Sequence, residues 1–126
     1  MVAAFTNEDS IGSQDALVVG PTTSRQITLE AGNLLRGAVL GQHEEGSDSD
    51  PGGGYILAVA AAGDGSQTPK VILAEDCDAS GGAKTTVAYF AGEFNENQLH
   101  FGAGHDKYSV RESLRDVGIN LQPSIT

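Results

Sequence analysis

Short apolar runs alternate with glycine-rich polar stretches along this chain. Residues 24–30 (SRQITLE) alternate strictly enough to put Ile27 and Leu29 on one face, which predicts a strand. Residues 34–41 (LLRGAVLG) are mostly apolar and β-compatible, with Gly37 marking a bulge or a close backbone approach. Residues 55–61 (YILAVAA) read as a buried strand, residues 71–74 (VILA) open another apolar segment, and residues 85–94 (TTVAYFAGEF) form a further strand. Turns are expected at Ala31-Gly32-Asn33 and over residues 63–68. Polar surface loops are expected over residues 43–54 (HEEGSDSDPGGG) and 78–84 (DASGGAK). Residues 95–101 (NENQLHF) fit a helical turn or a short strand equally well.

One stretch carries a helical period. Val110, Leu114 and Val117 recur at i, i+4 and i+7, giving one apolar face with Arg111 and Arg115 on the polar side. Ser109 and Glu112 have capping-box spacing, and His105 or Asp106 can add to the cap. Gly118 sits where a C-cap glycine belongs. Ile119-Asn120-Leu121 then predicts a short closing strand before Pro123. The expected architecture is mainly β with one short C-terminal α-helix.

Residues 1–15 break the pattern. They are polar and acidic, and after Val2 their only large apolar residues are Phe5 and Ile11. Without a period to bury a face, they predict a flexible N-terminal arm, disordered when free, attached to a domain over residues 16–126. Leu17, Val18 and Val19, closed by Gly20-Pro21, form either a first strand or the anchor of that arm.

Composition makes assembly attractive. The chain has 126 residues, room for one domain. Only 39% are hydrophobic, many of them Ala, and there is no Trp, so the core is thin. Subunit association would add buried area to a domain near the stability threshold. The net charge is −10, from 17 acidic and 7 basic residues, and the basic residues are scattered. Nucleic acid is therefore not an expected partner, since phosphate binding needs clustered Lys and Arg. The apolar run 55–62 is too short to cross a bilayer, and residues 1–10 lack a signal peptide's basic start and apolar stretch. Cys77 is the only cysteine, so no intrachain disulfide can form, which suits synthesis in a reducing cytosol.

The candidate chemistry fails at named positions. Asp48-Ser49-Asp50 and Asp76-Cys77-Asp78 each resemble the start of a calcium loop, but Val59 and Val87 occupy the positions that need a bidentate acid. His100, His105 and Asp106 give too few ligands for a zinc site and fit a turn entering the helix better; His43 is the third histidine. Cys77 lies between two acids, which oppose a thiolate. No serine has nucleophile-elbow context. Gly81-Gly82-Ala83-Lys84-Thr85-Thr86 lacks the glycine a phosphate loop needs before its lysine, and a strand follows. No catalytic role and no cofactor is expected.

Three stretches together carry a resemblance: ITLEAGNLLRGAVLG (27–41), VILAEDCDA (71–79), and GEFNENQLHFGAGH (92–105) continuing into the helix with its Val-Arg-Glu-Ser-Leu-Arg. In this order they resemble the bacteriophage lambda-like head decoration protein D family, over roughly residues 17–121. Cys77 and the 43–54 loop depart from the family's pattern.

The resemblance implies a β-clip-like domain forming homotrimers at local threefold sites on the outer surface of an expanded capsid. It also implies that the subunits wait in the host cytoplasm before assembly, and that the arm pairs with the major capsid protein and helps cement the head. The apolar residues of the arm and its root would then bind the capsid: Val2, Phe5, Ile11, Leu17, Val18 and Val19. Strand addition suits such an arm, because backbone hydrogen bonds supply affinity and alternate side chains supply register. A rival reading is a small β-rich phage adaptor or host-surface-binding module, with loops 43–54 and 78–84 as its recognition surface.

Overall fold

The computed structural model describes residues 16–44 and 53–123. In chain order the strands are β1 (Thr23–Leu29), β2 (Asn33–Leu34), β3 (Val39–Gln42), β4 (Tyr55–Leu57), β5 (Pro69–Leu73), β6 (Cys77–Asp78) and β7 (Lys84–Asn95). A 3-10 turn (Glu96–Gln98), helix α1 (Lys107–Asp116) and strand β8 (Ile119–Gln122) follow. The protein is mainly β, with one short helix near the C-terminus. The middle of the loop 43–54 and the whole of the arm 1–15 lie outside the described residues.

Strands β1, β4, β3, β5 and β7 pair in that order, and β7 returns to β1, closing a small barrel. The longest ladder joins β1 to β7, from Thr23 opposite Ala91 to Leu29 opposite Lys84. β7 is rich in Thr, Val, Tyr and Phe, the residue types that fit a pleated, half-buried surface. β4 meets β1 in parallel at the Leu29–Tyr55 pair. β2 and β6 form a separate small ladder, Asn33 opposite Asp78 and Leu34 opposite Cys77.

The barrel wall is apolar on both sides. Ile27, Leu29, Leu40, Tyr55, Val71, Leu73 and Ala88 belong to one buried cluster, the barrel interior. Val39, Ile72 and Phe94 belong to a second cluster, completed by Leu17, Leu99, Val110, Leu114 and Ile119. Adjacent residues such as Val39 and Leu40, or Val71 and Ile72, thus serve opposite faces, as a strand's two-residue period requires. The helix supplies Val110 and Leu114 to the outer cluster. Each fully buried Leu or Ile contributes about 1.5–3 kcal/mol relative to exposure.

Several elements differ from the sequence expectations. The strand expected over 55–61 stops at Leu57. Ala58 N–H donates to Val39 O instead, Ala60 N–H to Ala103 O, and Ala62 N–H to Val59 O, which turns the chain. The helix begins earlier than Ser109–Glu112 spacing suggests. Its N-cap is Asp106, whose carboxylate accepts from the Tyr108 and Ser109 amides while Ser109 Oγ accepts from Asp106 N–H. Val117 is the C-cap, 41% exposed, because the helix ends one residue before it and Gly118 takes φ +93°. Residues 95–101 contain the 3-10 turn, capped by Asn95. Gly37 is the close approach expected: at φ +99°, a Cβ there would lie 2.6 Å from Gln98 O.

Candidate functional site

Strand β7 is the spine on which the chain's two ends meet. Up to Ala91 it pairs with β1 along one edge, and with β5 through Tyr89 and Ala88. At Gly92 its partners change. Residues Gly92–Asn95 pair in parallel with β8, from Gly92 opposite Ile119 to Asn95 opposite Gln122. The edge that carries β1 is taken here by Leu17, Val18 and Val19. Val18 bridges Phe94 in antiparallel sense, Val19 N–H donates to Glu93 O at 3.0 Å, and Asn95 N–H donates to Leu17 O at 2.8 Å. Residues 17–29 therefore follow β7 along nearly its whole length, interrupted at Gly20-Pro21-Thr22, where proline cannot donate to a ladder.

This geometry places the predicted arm-root residues. Leu17 is 2% exposed and sits in the outer cluster with Phe94 and Ile119. Val18 packs partly buried against the same cluster, and Val19 is half-buried. Val2, Phe5 and Ile11 lie outside the described residues. The chain reaches residue 16 beside the Asn95 end of β7, where Gln122 of β8 also ends.

The helix is fixed to this end of β7 by a buried carboxylate that the sequence pattern did not single out. Glu96 is 4% exposed, and its oxygens meet Arg111 Nη2 at 2.7 Å and Lys107 Nζ at 3.5 Å. The Glu96 hydrogen bond, followed by its charge, raises the Arg111 pKa. A buried acid that is doubly paired is tolerated because both cations stay partly in water. Lys107 and Arg111 also lie over the ring of Tyr108, which is 67% exposed. Leu35, at 54%, is a second exposed large apolar side chain.

The chemical near-misses are occupied by structural contacts. Asp76 Oδ1 accepts from the Arg36 amide at 2.7 Å, and Asp78 accepts from the Ser80 hydroxyl and then the Ser80 amide, which together lower its pKa. Asp48 and Asp50 lie outside the described residues. His105 ties the helix start to Gln67 O at 2.8 Å through Nε2 and to Ser109 Oγ at 2.9 Å through Nδ1. His100 lies at an exposed position, its backbone bridging to Ala38. Cys77 is half-buried against the barrel cluster. Among the described residues, no group of three His, Cys, Asp or Glu could hold a metal ion, and no helix is long and apolar enough to cross a membrane.

The family model described as Bacteriophage lambda head decoration protein D matches residues 9–119. The chain belongs to this family. The match starts within the arm, spans the whole barrel and helix, and ends at Ile119, the first residue of β8. No curated protein matches the chain. Membership makes it a structural protein of the phage virion, one that decorates the capsid.

Proposed function

We propose that this decoration protein docks as a homotrimer on the outer capsid surface, at local threefold sites, and stabilises the expanded head. Subunits gather in the host cytoplasm and bind once the shell has expanded. The arm, residues 1–15, pairs with the major capsid protein, while residues 16–126 form the body. The observation that carries this reading is the family match together with the seat of the arm's root. Leu17 is held in the core and Val18–Val19 follow an edge of β7, so a pull on the arm is passed directly to the spine of the domain. An arm rooted in a paired segment suits strand addition, in which backbone hydrogen bonds supply the affinity.

Two further features support it. Exposed Leu35 and Tyr108 give apolar surface that association could cover. A charge of −10 suits the outside of a shell, away from the genome. Repetition over a lattice lets weak contacts sum, because one docked subunit raises the effective concentration of the next.

The test is to mix purified protein with undecorated, expanded capsids. Saturable binding should appear, with increased resistance of the heads to heat and chelator. Binding without any gain in resistance would remove the cementing role, and a stable monomer in solution would remove the trimer.

A further inference from the structure

His43 stands at the mouth of the barrel, at the base of the loop 43–54. Its own amide donates to Gly54 O at 3.0 Å, and the neighbouring Gln42 side chain donates to Gly53 O at 3.0 Å. Its ring lies between two carboxylates from different parts of the chain. Nδ1 is 2.9 Å from Glu30 Oε1, just after β1, and Nε2 is 3.0 Å from Asp64 Oδ2, in the turn between β4 and β5. An ionised carboxylate only accepts hydrogen bonds, and a neutral imidazole has one N–H to give. Both contacts can be hydrogen bonds only when the ring carries two protons.

The surroundings hold both acceptors in place. Asp64 Oδ1 accepts from Ser66 Oγ at 2.6 Å and Ser66 N–H at 3.0 Å, which lowers the Asp64 pKa and leaves Oδ2 free to face His43. Glu30 lies directly over Gly54: a Cβ at that position would come within 2.1 Å of Glu30 Oε2. Glycine at 54 is what lets Glu30 reach the ring. Among the described residues, Glu44 lines the same cleft, and Lys70 lines a second cleft that His43 and Glu44 also border. Glu44 N–H donates to Asp64 O at 2.8 Å, and Glu30 N–H to Tyr55 O at 2.9 Å.

We propose that His43 is a proton-operated clamp: protonated, it ties the end of β1, the base of the 43–54 loop and the β4–β5 turn together, and on losing its proton it gives up one of these ties. The direction of pH dependence follows. The Glu30 hydrogen bond is the largest influence on His43. Partial desolvation opposes it, and the charges of Glu30 and Asp64 add to it, so the pKa ends above its ordinary value of 6.5. A raised folded-state value means the clamp's stabilisation is complete below 6.5 and is lost as pH rises through the folded value. The mouth is therefore firm below 6.5 and looser once the pH has passed the raised folded-state value. This clamp does not depend on capsid docking.

The experiment is an NMR titration of the three histidine rings in the full-length protein, with amide exchange at Glu44 and Glu30. His43 should titrate above 6.5. Asp64→Asn should lower its midpoint by removing one charge, and Gly54→Ala should lower it by pushing Glu30 aside, while His100 and His105 report that each variant is folded. Protection at the Glu44 amide, corrected for intrinsic exchange, should fall several-fold as wild-type His43 deprotonates and stay flat in His43→Gln. A His43 midpoint at or below 6.5, a midpoint unmoved by both substitutions, or equal Glu44 behaviour in wild type and His43→Gln would each overturn the clamp.

Discussion

The barrel and the annex at the far end of β7 are built from the same strand in different ways. Inside the barrel, Leu29, Leu40, Val71 and Leu73 fill the interior from strands that the β-ladders close around them. In the annex, Phe94 is the centre, and its neighbours come from everywhere: Leu17 from the arm's root, Val110 and Leu114 from the helix, Ile119 from β8. The barrel would survive as an idea without its termini; the annex consists of them. Under the proposed docking, a protein that holds on through one end gains from putting the root of that end into the core. Force on residue 16 reaches Asn95, Glu93 and Phe94 through backbone hydrogen bonds and packing, not through a loose tether.

That contrast can be broken from the annex side. The largest effect is expected for Phe94→Ala, which removes the residue all three annex elements share. Burial at 0% exposure places its cost at about 3–5 kcal/mol, read from denaturant melts. Leu17→Ala should cost about 2–4 kcal/mol by the same route. Because β7 runs unbroken through both regions, these losses should appear as a lower global midpoint with coincident probes. Early loss of protection at the Val19 and Asn95 amides with an unchanged barrel midpoint would show instead that the annex melts by itself.

Smaller effects sharpen the picture. Asp106→Ala removes the helix cap and should cost about 1 kcal/mol, with a matching loss of protection in the first turn of α1. Deleting residues 1–15 should leave the melting midpoint nearly unchanged, since Leu17 and its ladder remain. A large loss of stability on that deletion would move the boundary between arm and body.

Much of the barrel was legible in the sequence because strand alternation is local. Ile27 and Leu29 were placed on one face, and both point into the barrel. The chain's order along β7 was not legible. Closure depends on β1 meeting a strand some sixty residues later, and the annex depends on Leu17 finding Ile119 about a hundred residues away; no local period records either. The alanine-rich run after Tyr55 read as strand because it is continuously apolar, but beyond Ala58, whose amide still reaches Val39 O, the chain turns, with Ala62 N–H donating to Val59 O. Asp106 was among the capping residues the sequence offered, but the Ser109–Glu112 box was misread because Asp106 and Ser109 cap each other, with serine at the inner position where the pattern expects Glu or Gln. Glu96 and His43 escaped notice for one reason: their partners, Lys107 and Arg111 or Glu30 and Asp64, lie on other elements. The family's three stretches did survive as sequence signal, and they fall on the β1–β3, β5–β6 and β7–α1 segments.

The central claim is that the arm docks the protein while its root holds the fold. The most direct measurement compares full-length protein and the 1–15 deletion for saturation binding to undecorated expanded capsids, with both first confirmed folded and of equal solution mass. The account predicts saturable binding for the full chain and strongly weakened binding for the truncated one. Equal docking by the two proteins would contradict it.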